Sequence, residues 1–201
     1  MSWLLRDGEV LASLEVASSR RDRRRGLLGR DDFEGAMLIE RVRGSGEPSL
    51  LFHGGVNESQ AESVATELCE VMAKLHLSDV AKLNPVGELN DPRGEGVDVS
   101  SWTRYMESTF GYYINSYERM AFAPVPVFYD GYLALRRSLP RELPLVVCHG
   151  DFNPSNFLYE NGKVTALIDW ENSHVGDPRE DLGWLALMDF LTDTNILGSV
   201  K

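Results

Sequence analysis

Lysine is scarce in this chain of 201 residues: Lys74, Lys82, Lys163 and Lys201 are the full set, and none precedes Lys74. Cysteine is scarcer still, and Cys69 with Cys148 cannot make a disulfide framework, so a reducing compartment is expected. His53, His76 and His174 stand at no metal-ligand spacing with either cysteine, which gives no reason to expect a zinc site. Long apolar runs are missing: no uncharged stretch approaches the roughly 18 to 20 residues of a membrane helix. Arg6, Asp7 and Glu9 break the N-terminus where a signal peptide needs an apolar core, so the expected setting is the cytoplasm, with no membrane partner. Positive charge is also short, with 20 Lys+Arg against 31 Asp+Glu and a formal net charge of −11. That balance excludes a non-specific grip on nucleic acid, and any phosphate chemistry would need a metal cation.

What is present has the make-up of one globular domain with a small appendage: 43% of residues are hydrophobic and 25% charged. The charge is unevenly spread. Residues 1–43 hold 9 Arg and 8 acids, whereas residues 44–201 hold 11 Lys+Arg and 23 acids. The run Arg20, Arg21, Arg23, Arg24, Arg25 reads first as a solvated face and second as an anion-binding patch.

Residues 3–17 read as a β-hairpin about Asp7-Gly8, with Val10, Leu14 and Val16 on one parity. Gly35 to Ile39 reads as a buried strand that leaves into a Gly, Ser and Pro-rich linker reaching about Gly55. Ala61, Val64, Ala65, Leu68, Met72 and Leu75 repeat at helical spacing, predicting a core-facing helix over 58–76 with Asn57 or Ser59 near its cap. Residues 84–99 are expected to form an exposed loop, residues 102–120 and 128–138 two more helices, and the aromatic residues among them packing. Leu145 to Cys148 reads as a buried strand. A hairpin about Asn161-Gly162 follows, and Asp177-Pro178 opens a last helix predicted to turn Leu182, Leu185, Ala186 and Phe190 inward.

The chemistry concentrates in His149-Gly150-Asp151-Phe152-Asn153-Pro154-Ser155-Asn156, where Asp151 and Asn156 share a loop and Asp169 returns at the end of the next hairpin. Phosphoryl transfer needs this set: a carboxylate to accept the proton of an attacking hydroxyl, and an amide with a second carboxylate to hold Mg²⁺ against nucleotide phosphates. The spacing matches that of the protein-kinase catalytic loop. The bland alternative is turn-forming Asx chemistry.

The stretch VVCHGDFNPSNFLYENGKVTALIDWENSHVGDPREDLGWL resembles the core of the aminoglycoside phosphotransferase and choline kinase group. GDPREDLGWL is most similar to a branch whose members include domains fused to, or encoded near, acyl-CoA dehydrogenases. The resemblance implies an α+β fold, a mostly helical kinase-like C-lobe with a catalytic β-hairpin, over residues 56–201, and a hinge and linker over 40–55. It implies Mg²⁺ and ATP as cofactors and a small hydroxyl-bearing molecule as acceptor. Asp151 becomes the base, Asn156 and Asp169 the metal ligands, His149 and Asp181 supports of the loop, and the backbone at Glu40 and Val42 the adenine contact.

Residues 1–39 depart from that pattern and resemble instead the opening of an unrelated small bacterial family of unknown function, with a junction between Gly35 and Glu40. Only 35 residues precede the hinge-like strand, none is lysine, and Gly44-Ser45-Gly46 follows the hinge instead of preceding it, so the N-lobe is expected to be truncated and replaced by a short β-hairpin segment. The chain also stops at Lys201, short of helices that shape the family's acceptor pocket. Two readings result: an active phosphotransferase, or a catalytically inactive remnant or binding module. Either leaves a face that an N-lobe would cover, through which self-association is expected. Nucleic acid is not an expected partner.

Overall fold

Six apolar positions at helical spacing become a nineteen-residue helix, α1 (Glu58–His76), with the bounds that the periodicity predicts. The computed structural model describes residues 2–6, 9–13, 42–46, 58–120, 125–161 and 163–192. The Arg20 to Arg25 run, the Gly35 to Ile39 strand, Glu40 and His53 lie outside them. No helix among the described residues is long and apolar enough to cross a membrane. The chain divides into two compact units, one of Met1–Lys74, Asp151–Asn172 and Trp184–Lys201, the other of Leu75–Gly150 and Ser173–Gly183.

In the first unit, β1 (Ser2–Arg6) and β2 (Glu9–Ser13) form an antiparallel hairpin in which Ser2 faces Ser13 and Arg6 faces Glu9. The helix α1 buries Val64, Ala65, Leu68, Val71 and Met72, one stripe of its surface. β4 (Phe157–Glu160) and β5 (Lys163–Leu167) form a second hairpin, turned through Asn161 at φ 54°, a left-handed value that asparagine tolerates. Phe157, Tyr159, Ala166 and Leu167 are buried, and Phe152 meets Phe157 edge to face at 4.8 Å. The register shifts between Leu158 and Tyr159: Tyr159 pairs with Val164 but Leu158 pairs with Ala166, so Thr165 is an extra residue, a β-bulge.

Two contacts pin this hairpin. Glu67 of α1 accepts the Val164 N–H at 2.6 Å. Residues 42–46 lie along β4, where Ser45 exchanges both backbone hydrogen bonds with Tyr159 at 2.9 Å and Thr165 Oγ1 donates to the Arg43 carbonyl at 2.6 Å. Gly44 has to be glycine there, because its φ is +125° and a Cβ would stand 2.7 Å from Thr165 Oγ1.

In the second unit, the short helix α2 (Val80–Leu83) is capped by Asp79, whose side chain accepts the Ala81 N–H at 2.9 Å. α3 (Trp102–Met120) and α4 (Pro126–Arg137) follow. Their aromatic rings meet each other: Tyr117 stacks on Phe128 at 4.1 Å and Phe110 meets Tyr132 edge to face at 6.1 Å. β3 (Val146–Cys148) pairs antiparallel with β6 (His174–Gly176). α5 (Arg179–Thr192) begins after Asp177, which accepts the Arg179 N–H at 2.9 Å, and its first residues belong to this unit.

Two expectations are corrected here. The loop over 84–99 is not wholly exposed: Leu89 is buried, its carbonyl accepts the Val175 N–H at 2.8 Å, and Asn84 accepts the Leu89 N–H at 3.0 Å. A strand-like bond to β6 thus turns one apolar residue of a turn-rich segment inward. Of the four apolar residues of α5 expected to turn inward, Leu185 alone is buried; Leu182 and Ala186 are exposed, and Phe190 is 82% exposed.

Candidate active site

The 3₁₀ turn Pro154–Asn156 forms because Pro154 fixes φ at the first position and Asn153 caps it, accepting the Ser155 N–H at 2.9 Å. This turn holds Asn156 beside Asp151. The Asn156 amide nitrogen donates to the Asp151 carbonyl and to Asp151 Oδ2, each at 2.9 Å. Both partners are acceptors, so the nitrogen must face them and the amide oxygen is turned elsewhere. The other carboxylate oxygen, Asp151 Oδ1, accepts from the Asn153 amide at 2.8 Å. Asn156 is buried and Asp151 half-buried.

Asp169 reaches this group through the hairpin. Ile168 N–H donates to the Asn156 carbonyl at 2.8 Å, which fixes the end of β5 against the 3₁₀ turn, and Asp169 is the next residue. It is exposed and has φ 66°, a left-handed backbone that an aspartate adopts at a cost. The Asn156 oxygen and the Asp169 carboxylate are hard oxygen donors of the kind that Mg²⁺ takes, so the residues present fit that ion.

In the second unit, Asp181 is fully buried and spends both oxygens on the residues that immediately precede Asp151. Oδ2 accepts the His149 backbone N–H at 2.9 Å and a hydrogen bond with His76 Nε2 at 2.9 Å; Oδ1 accepts the Gly150 N–H at 2.9 Å. Burial alone would raise the Asp181 pKa, but the hydrogen bonds from His76, Gly150 and His149, with the His76 charge, outweigh it and hold the carboxyl below the ordinary range. Cys148 lies close by, and the ligand atoms of His76, Cys148 and Asp181 fall within 4.8 Å of one another. Sequence spacing did not foresee that meeting. It is a hydrogen-bonded cluster: the thiol donates to the Asp177 carbonyl at 3.4 Å, and burial with the nearby Asp181, Glu180 and Asp177 pushes its pKa well up. A thiol so held is inert as a nucleophile.

A second buried acid, Asp177, accepts Trp102 Nε1 at 2.6 Å and the Arg179 guanidinium, which sits 5.9 Å from the Trp102 ring centre. Burial raises its pKa, yet the bonds from Arg179 and Trp102 leave it below the ordinary range. Beside it, Glu180 accepts from the Tyr105 hydroxyl and pairs with His174 at 3.1 Å.

Of the residues singled out in the sequence, Asp151 and Asn156 are bonded to each other in the first unit, where Asp169 follows Ile168, itself bonded to the Asn156 carbonyl; His149 and Asp181 are bonded within the second. Val42 is half-buried at the start of the 42–46 segment, and Glu40 lies outside the described residues. Asn153, His76 and Glu67 were not read as site residues. Asn153 carried a signal, its place two residues after Asp151 and just before proline, where an Asx cap is expected. His76, at the end of α1, stood out in the sequence only as a histidine at no metal-ligand spacing with either cysteine.

Residues 8–197 match the phosphotransferase enzyme family. The chain belongs to that family. The match starts at residue 8 and so takes in most of the N-terminal segment that the sequence set apart. Among curated proteins, acyl-CoA dehydrogenase family member 10 of Mus musculus is 29% identical over 151 residues, which cover 72% of this chain and 12% of that protein. Among solved structures, the macrolide 2′-phosphotransferase of Brachybacterium faecium superposes with a TM-score of 0.52 at 21% identity, over 80% of this chain and 54% of the other. The GDP complex of aminoglycoside 2′-phosphotransferase-IIIa gives 0.52 at 17% identity, over 79% and 52%. The chain thus has a kinase-like α+β fold and spans about half the length of these two structures and about an eighth of the curated relative.

Proposed function

We propose that this chain transfers the γ-phosphoryl group of ATP, with Mg²⁺, to a hydroxyl of a small molecule. The observation that carries the reading is the Asn156 amide, which binds Asp151 through its nitrogen and leaves its oxygen for a cation beside Asp169. Asn156 and Asp169 would hold Mg²⁺, which when bound neutralises charge on the phosphates. Asp151 orients the acceptor hydroxyl and takes its proton as the bond from the acceptor oxygen to the γ-phosphorus forms and the bond from that phosphorus to the bridging oxygen breaks, leaving ADP. Family membership supports the reaction class, and the fold shared with a GDP-bound phosphotransferase supports nucleotide binding.

Calorimetry of Mg²⁺·ATP with the purified chain and with Asp169→Ala tests this. Micromolar binding, lost at least tenfold in the variant, is the expected result. Asp151→Ala is expected to bind Mg²⁺·ATP as the parent does and to lose turnover; persistent turnover in that variant would refute the assignment. No heat in either sample would favour the second reading, a non-catalytic binding module, for which the lysine-free stretch before Lys74 speaks.

A further inference from the structure

Asn153 joins two tasks in one side chain. Its oxygen accepts the Ser155 N–H at 2.9 Å and the Ser155 hydroxyl, closing the 3₁₀ turn that carries Asn156. Its nitrogen donates to Asp151 Oδ1 at 2.8 Å. The two carboxylate oxygens of Asp151 are therefore each held by a different amide, Oδ1 by Asn153 and Oδ2 by Asn156. A carboxylate held at one oxygen swings about χ2; held at both, its plane is fixed, and so is the direction of the remaining lone pairs. The turn alone does not require this. Serine, threonine or aspartate would cap it equally well, but ionised aspartate has no donor for Asp151 and the hydroxyls of serine and threonine end one bond short of the Asn153 amide.

We infer that Asn153 is a positioning residue for Asp151: its amide sets the plane of the base, while its oxygen sets the turn that carries Asn156. The inference rests on the phosphotransferase reading above. It concerns orientation, so it predicts a loss in kcat with the nucleotide KM retained in variants that keep the cap of the turn carrying Asn156.

The test is steady-state turnover with thermal unfolding on the full chain, comparing the parent with Asn153→Ser, Asn153→Asp and Asn153→Ala. Aspartate keeps a capping oxygen and has no donor, and serine keeps one with its only donor, the hydroxyl, one bond short of the amide position. Both are expected to unfold near the parent temperature, with kcat lower by about ten- to a hundredfold and KM for ATP within about twofold, the scale of a misaimed reacting group. Aspartate is expected to be the worse of the two, since it faces Asp151 with a like charge. Alanine loses both tasks, so lowered thermal stability is added to the loss in kcat. A purely structural Asn153 gives a different pattern: serine and aspartate then turn over as the parent does and only alanine fails. Parent-like kcat in Asn153→Asp overturns the positioning role and leaves the phosphotransferase reading intact. Absence of turnover in the unsubstituted chain overturns both.

Discussion

Asp181 is fully buried and takes three hydrogen bonds on its carboxylate, and its contribution to stability has a sign that can be worked out. Its carboxyl is held below the ordinary range in the folded chain and returns to about 4 when unfolded. The folded state therefore binds fewer protons, and this stabilisation is fully present above the ordinary carboxylate range and lost as pH falls through it toward the folded value. Unfolding followed from pH 7 down to pH 3 is expected to show a steep loss in the parent. Asp181→Asn replaces an acceptor oxygen with a donor against two backbone N–H groups and His76, so at pH 7 a loss of about 3 kcal/mol or more is expected, with a flatter acid limb. An acid limb identical to the parent's would show that other carboxylates dominate it.

At the scale of elements, the hairpin of β4 and β5 is the part whose rigidity the site depends on, since it delivers Asp169. Glu67 fastens it to α1 by one charge-assisted bond to Val164. Glu67→Ala is expected to cost about 1 to 2 kcal/mol and to raise amide exchange at Val164, whereas Glu67→Gln, which still accepts, is expected to keep most of the protection. Hydrogen exchange read by NMR would distinguish them. How far such elements could be read in the sequence followed from how they are built. α1 was legible to the residue, because a one-sided apolar stripe has a single helical solution. The three oxygen-bearing residues of the site were legible as a spacing. Leu89 was not, because a lone backbone bond to β6 leaves no trace in residue type. The inward face of α5 was misread for another reason: Leu182, Trp184, Leu185, Leu187, Phe190 and Leu191 surround the helix, so the pattern selects no face. Glu67 acts through one side-chain bond to a residue far along the chain and Asn153 through several to near neighbours, and periodicity registers neither.

For the molecule as a whole, strong negative charge and uncovered apolar surface pull in opposite directions. In the first unit, Trp184, Leu187, Phe190 and Leu191 of α5 are exposed; in the second, α4 has no buried residue, and Val127, Leu133 and Leu135 are exposed. A net charge of −11 opposes association at low salt and is screened as salt rises. Light scattering is therefore expected to report a mass above that of one chain, 22.5 kDa, increasing from low to moderate ionic strength, and a single monomeric mass throughout would contradict it. The bulge at Thr165 bears on strand length. Ala166 faces Leu158 and Leu167 faces Phe157 whether or not Thr165 is inserted, so the hairpin absorbs a change of one residue in length without moving Asp169 off its partner turn. Deleting Thr165 is therefore expected to leave Asp169 next to its partner turn, at a site where the strand has a residue to spare.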